Sequence, residues 1–244
     1  MSDARTKIFL LVEGEKRDRK LMEKLLALYG LDVDYEIVTY NSKIYALYNE
    51  LFVENDPEDM DLLQVLKSRE RDPGKRAIFD EAYSDILLVF DLDPQDPEHT
   101  PEKIRRMVSY FTESTDMGKL YLNYPMVESF YHMHEIPDPA YDTRYASFAE
   151  LQAGTYKNRV GEENRDRDYR KFAKTKEECS TVIRQNLDKA CALIGEKPQT
   201  LVDQEKVLCA QLDLLREAQM VAVLSTCIFF IPEYDESLIA DALL

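Results

Sequence analysis

Two continuous apolar runs frame the first half of the chain, and each ends in acid. Lys7-Ile8-Phe9-Leu10-Leu11-Val12 leads into Glu13-Gly14-Glu15, and Ile86-Leu87-Leu88-Val89-Phe90 leads into Asp91-Leu92-Asp93-Pro94. Unbroken apolar runs of this length, bounded by turn-forming residues, predict strands buried on both faces, as in parallel α/β sheets. Gly14 is expected to permit a tight turn after the first run. Residues i and i+2 of a strand point to the same side. A proline biases the residue before it toward extended backbone. Asp91 and Asp93 are therefore expected to face one way at the carboxyl end of the sheet, where open α/β folds bind their ligands.

The other elements follow from periodicity. Leu21, Met22, Leu25, Leu26, Leu28 and Tyr29 share one helical face, stopped by Gly30, and Tyr35 to Val38 reads as a short strand. Residues 41–83 read as mostly helical. Ile44, Leu47, Tyr48 and Leu51 form one face there, and Asp56-Pro57 reads as the opening of a second helix that carries Leu62, Leu63 and Leu66. Thr100-Pro101 opens a helix with Ile104, Met107, Val108 and Phe111 on its face, and Leu120 to Leu122 is a further short strand. Glu128 is placed at the start of an aromatic-rich helix. Beyond about Ile136 the pattern turns helical: Thr175-x-x-Glu178 is a capping box opening a helix with Cys179, Ile183, Leu187, Ala190, Cys191 and Ile194, and a last long helix starts near Leu201. For Val221 to Ile231 periodicity leaves helix and strand open. The expected architecture is an α/β core over residues 1–136, a mostly parallel sheet flanked by helices with a helical insert at 41–83, and a mainly helical region over 137–244 packed on that core.

Composition narrows the partners. The chain has 244 residues and a net charge of −16, so any contact with a polyanion requires a local basic face. Two stretches qualify: residues 67–76, with five basic residues against two acids, and residues 157–176, with eight against four. They are a candidate track for a phosphate backbone, with Tyr156 and Tyr169 as stacking groups; the alternative is a solvated mixed-charge surface. The four cysteines form no Cys-x-x-Cys pair and read as buried thiols in a cytoplasmic protein. No signal-peptide pattern is visible, and the longest apolar run, Val221 to Ile231, is shorter than the roughly 20 residues of a membrane span. His99, His132 and His134 do not have the spacing of a transition-metal site.

The candidate chemistry lies in the acids. Acids commonly end strands because loops are polar, but two buried strands that both end in acid, one with the Asp-x-Asp spacing, suit a divalent cation. Mg²⁺ prefers one or two carboxylates plus water and phosphate oxygens. The order Leu10-Leu11-Val12-Glu13-Gly14, then Leu88-Val89-Phe90-Asp91-Leu92-Asp93, resembles the Toprim domain of topoisomerases, primases and several nucleases. Asn123-Tyr124-Pro125-x-x-Glu128-x-Phe130 resembles a segment of the RloB-like and AbiLii-like Toprim proteins of bacterial phage-defence loci, with Tyr124 interposed. The resemblance covers residues 7–134 or so; the insert at 41–83 is longer than a minimal Toprim domain requires.

The resemblance implies a Rossmann-like core in which Glu13 is a general acid/base or metal ligand, and Asp91 and Asp93 hold Mg²⁺ or Mn²⁺. Glu128 would complete the metal site or hold a second ion, with Glu15 and Asp18 as neighbours. Lys16 and Arg17 beside the acids, with Lys157 and Arg159 from the second basic stretch, are the substrate-binding candidates. No tyrosine-bearing strand-passage domain or zinc-binding domain is visible, and no Gly-x-x-x-x-Gly-Lys-Ser/Thr loop is present. The expected function is a Mg²⁺-dependent nuclease acting on DNA or RNA as the effector of an anti-phage system. A partner ATPase or sensor would control it, and it could form a homo-oligomer. The competing readings are a non-catalytic Toprim-like scaffold of such a system and, third, a nucleotide phosphohydrolase.

Overall fold

A parallel sheet organises the molecule, and its strand order fixes where a ligand crevice lies. The computed structural model describes residues 7–31, 34–53 and 61–242. β1 (Ile8–Val12), wholly buried, is followed by α1 (Asp18–Tyr29) and β2 (Tyr35–Thr39). α2 (Ile44–Phe52), α3 (Leu62–Arg69), the single turn α4 (Pro73–Arg76) and a 3-10 turn (Ala77–Asp80) make up the described part of the insert. The expected Asp56-Pro57 helix start lies outside the described residues. β3 (Asp85–Asp91), α5 (Pro101–Tyr110), β4 (Thr112–Glu113) and β5 (Gly118–Tyr124) complete the core.

The sheet runs β2-β1-β3-β5, all parallel. From β1 the chain crosses one way to β2, and from β3 it crosses the other way to β5. The crevice between β1 and β3 is thus the switch point of the sheet, the place where open α/β folds bind ligands. Glu13 and Asp91 stand at that crevice because each follows or ends one of its two strands.

The amphipathic helices bury the faces that their spacing predicts. α1 packs Leu21, Met22, Leu25, Leu26 and Tyr29 inward and ends at Gly30, whose φ of 67° supplies the left-handed cap. The Thr100 and Thr175 side chains accept from Lys103 N–H and Glu178 N–H, capping α5 and α8 (Lys176–Leu193) as their sequences indicate.

Residues 137–244 do more than pack on the core. Helices α6 (Phe148–Gln152), α7 (Tyr156–Glu163), α8, α9 (Gln204–Ala218) and α10 (Phe230–Tyr234) are accompanied by three short strands. β6 (Tyr145–Ser147) pairs with β7 (Met220–Ala222), while β8 (Leu224–Ser225) joins the main sheet antiparallel to β5. The ambiguous run 221–231 is thus strand, turn and short helix in succession. β4 covers one end of the β5 edge and β8 the other, so its ladder groups are paired along both ends.

A buried hydrogen-bond chain ties this region to the core. Ser225 N–H and the Tyr141 hydroxyl both donate to Asn186 Oδ1, at 2.8 and 2.7 Å. Ser225 Oγ donates to Asn123 Oδ1 at 3.0 Å, and Asn123 Nδ2 donates to Asp91 Oδ1 at 3.4 Å. Asn186→Leu leaves two buried donors without an acceptor. The expected loss is about 3 kcal/mol, from roughly 1–3 kcal/mol for each orphaned group. Urea denaturation measures it; a loss under about 1 kcal/mol would mean that α8 does not hold β8 in place.

One expectation about burial is corrected. Cys179, Cys191 and Cys227 are buried, but Cys209 is exposed. α9 turns Val207, Leu208, Gln211 and Leu212 inward, and that helical face leaves position 209 outside. No helix among the described residues is long and apolar enough to cross a membrane.

Candidate active site at the switch point of the sheet

Glu13 follows β1 directly, with its backbone N–H bonded to Val89 O at 3.1 Å and its carbonyl accepting from Asn41 N–H at 3.0 Å. The residue is pinned between β2 and β3. Its Oε2 accepts from the backbone N–H of Asp91 at 3.2 Å. Gly14 is needed for a reason other than a left-handed turn: its φ is not positive, but a Cβ there would lie 2.7 Å from Asp18 Oδ2. The missing side chain lets the first turn of α1 bring the Asp18 carboxylate against the strand end.

Asp91, Asp93 and Asp18 are all buried. Burial pushes the Glu13 carboxyl up to about 8, and the charge of Asp93 adds to it. Burial likewise raises Asp18 to about 6 and Asp91 well above the usual carboxylate range, where Glu13, Asp18 and Asp93 all contribute. Four acids therefore sense one another in a poorly hydrated crevice. Asp18, a peripheral neighbour in the sequence reading, belongs to the cluster. The signal for it was the spacing Glu13-Gly14-x-x-x-Asp18, which places an acid in the first helical turn behind a strand end.

The backbone at Asp93 differs from expectation. β3 ends at Asp91, and Asp93 adopts φ +42°, in the left-handed region, despite the following proline. Its N–H donates to Pro125 O and its carbonyl accepts from Asp96 N–H, at 3.0 and 2.9 Å. Asp93 thus starts a turn, and the strand alternation argument does not apply to it. Tertiary bonding to the 125 segment outweighs the local preference of a residue before proline. Asp93 Oδ1 accepts from Gln95 Nε2 at 3.0 Å, and its Oδ2 lies 3.3 Å from Lys43 Nζ.

Glu128 lies in a 3-10 turn, Val127–Tyr131, instead of opening an α-helix. Its fully buried carboxylate is paired with Arg17 and with Lys157, whose Nζ is 3.5 Å away. The Arg17 guanidinium lies over the ring of Tyr169, 5.1 Å from its centroid, and that ring stacks on Tyr131 at 4.5 Å. The structure thus groups Glu128 with two of the four substrate-binding candidates. Lys16 is exposed on the turn beside them. Arg159 is directed elsewhere: it binds Glu150 at 3.1 Å and Tyr145 O at 2.7 Å, and lines a separate cavity with Arg144 and Glu163.

Of the two stacking tyrosines, only Tyr169 is partly accessible. Tyr156 is buried, with its hydroxyl 3.2 Å from His132 Nδ1, and is not open to a base. His132 also meets Glu163 at 2.8 Å, and burial lowers it to about 4, so it is neutral. Part of the two basic stretches is neutralised in place: Lys67, Arg69, Lys157, Arg159, Arg165 and Arg170 each bind an acid of the chain.

Among the described residues, no three His, Cys, Asp or Glu side chains form a ready metal cage. The acids at the crevice still match Mg²⁺ in kind. They are oxygen donors crowded against their own repulsion, and Asp18 Oδ1 is buried with no hydrogen-bond partner. Mg²⁺ requires only one or two protein carboxylates, the rest being water and phosphate oxygens. No protein-family model, curated protein or solved structure matches the chain.

Proposed function

We propose that the chain is a Mg²⁺- or Mn²⁺-dependent nuclease of the Toprim type that hydrolyses phosphodiester bonds in DNA or RNA. The observation that carries this reading is the meeting of Glu13, Asp18, Asp91 and Asp93 at the β1/β3 switch point, where the carboxyls of Glu13, Asp18 and Asp91 are driven upward. Buried acids raised by desolvation and by one another in a crevice mark a functional-site candidate.

Asp91 and Asp93 would hold the ion, with Glu13 or Asp18 beside them. The bound ion supplies a more acidic water and charge neutralisation at the phosphate. Glu13, freed of its proton once the ion is bound, would act as the general base. It takes the proton of a water as the water oxygen bonds to phosphorus. The bond from phosphorus to the departing sugar oxygen breaks, and that oxygen is protonated from solvent. Arg17, Lys157 and Lys16 offer the nearby positive charge for flanking phosphates. The strongly acidic chain, with Arg17 and Lys157 already paired to Glu128, leaves affinity for nucleic acid low. That suits an effector of an anti-phage system which a partner ATPase or sensor activates.

A second reading, a non-catalytic scaffold, is favoured by one observation. Lys43, Arg17 and Lys157 are already paired with acids of the chain, at Asp93, Asp96 and Glu128. Incubating the purified protein with plasmid DNA and total RNA in Mg²⁺ or Mn²⁺, beside a Glu13→Ala, Asp91→Asn double variant, separates the two. Metal-dependent cleavage that the double variant lacks is expected. Neither cleavage nor metal binding by calorimetry would leave the scaffold.

A further inference from the structure

The helical insert brings a cation to the acids that the sequence pattern does not single out. Lys43 precedes α2 in extended conformation, φ −78° and ψ 161°, and its side chain makes no contribution to capping that helix. Its Nζ lies 3.3 Å from Asp93 Oδ2 and 2.6 Å from Asp96 Oδ2. The start of α2 is itself docked on this loop: the Tyr45 hydroxyl donates to Leu92 O, and the Tyr45 ring meets His99 edge-on at 5.8 Å. The ammonium is therefore presented by a fixed element. Its side chain is 45% exposed, so it is not sealed between its two partners.

Both oxygens of Asp93 are engaged by the chain, Oδ2 by Lys43 and Oδ1 by Gln95. A divalent ion on Asp93 has to meet an ammonium already in place. Two cations on one carboxylate repel, so the ion weakens the hold on Lys43, and Lys43 weakens the hold on the ion. A phosphodiester at the same crevice offers the displaced ammonium a new anion.

We propose that Lys43 is the internal counter-cation of this site: it holds Asp93 until a divalent ion binds and then transfers its charge to the phosphate of the substrate. This rests on the metal-dependent reading above. It gives the insert a purpose, which is to couple metal loading to phosphate binding.

The test is calorimetry of Mn²⁺ binding to the full chain without substrate, for the wild type, Lys43→Met and Lys43→Arg. Lys43→Met is expected to bind Mn²⁺ roughly tenfold more tightly, within the range that coupling between neighbouring sites spans. Lys43→Arg, which keeps the charge, is expected to stay near wild type. Binding of a fluorescent oligonucleotide in Ca²⁺, followed by anisotropy, is expected to weaken in Lys43→Met. A residue that only supports the fold would not tighten metal binding when removed. Unchanged or weaker Mn²⁺ binding by Lys43→Met, or unchanged oligonucleotide binding, overturns the role of Lys43 and leaves the nuclease reading standing. Absence of Mn²⁺ binding by all three proteins overturns both. Mn²⁺ binding that responds to Lys43 as expected, with no cleavage by the wild type, overturns only the nuclease.

Discussion

Asp91→Asn is expected to remove metal-dependent cleavage and, in the same protein, to raise the stability of the metal-free fold. Asp91 is buried at the end of β3, and burial followed by the charges of Glu13, Asp18 and Asp93 disfavours its ionised form. Asparagine has the same shape, keeps an oxygen for Asn123 Nδ2, and removes the charge that Glu13 and Asp18 oppose. The gain is expected to be about 2 kcal/mol, the scale on which a buried polar group without a favourable partner destabilises a fold. For a chain of this size that is roughly 4–8 °C in melting temperature. Cleavage should fall by roughly 10²–10⁴-fold, the range that a positioned charge or proton-transfer group contributes. The opposite signs discriminate. A carboxylate retained for structure would cost stability on neutralisation, so a lower melting temperature in EDTA would count against the active-site assignment.

The second large effect is a stability that falls as pH rises and that Mg²⁺ restores. In the metal-free fold Glu13 is raised from 4.5 to about 8 and Asp18 from 3.8 to about 6. A folded state with raised carboxyl pKa values holds protons that the unfolded state has already lost. Stability from these groups is full at pH 4 and below, and declines through the window up to about pH 8 set by Glu13. Each extra proton held by the fold contributes a slope of about 1.4 kcal/mol per pH unit. A divalent ion at pH 8 replaces those protons, adding about 2.7 kcal/mol when present at a hundredfold excess over its Kd. Urea denaturation at pH 5, 6.5 and 8, with EDTA or with Mg²⁺, reads both effects, and Glu13→Gln should flatten the metal-free slope. Stability that is level or rising from pH 5 to 8 in EDTA, with no response to Mg²⁺, would show that these acids are not crowded together.

The acids at the sheet end were legible because a strand buried on both faces leaves no other reading for runs such as Phe9–Val12 and Leu87–Phe90, all of them buried. The helical faces of α1, α5 and α8 and the caps at Thr100 and Thr175 were legible for a similar reason, since each depends on residues within one or two turns. Asp93 was placed wrongly in its backbone because a bond to Pro125 O, 32 residues away, outweighs the neighbouring proline. Tyr156 was misread as an open group, and Arg159 as a partner of the acid site, because their partners, His132, Glu150 and Tyr145, are supplied by other segments.

What the sequence by itself determined is therefore local: the parallel strands, the acids that close them, the amphipathic faces and the helix stops. Hydrophobic period and capping act over a few residues, so they survive without knowledge of the fold. Tertiary structure alone decided which charges meet. It set Asp18 beside Glu13 through the space left by Gly14, joined Glu128 to Arg17 and Lys157, and brought Lys43 across to Asp93. It also made residues 224–225 a strand of the main sheet and linked them through Asn123 to Asp91. Electrostatic and hydrogen-bond partners depend on distances of a few ångströms between segments far apart in the chain, and no pattern along the sequence encodes those distances.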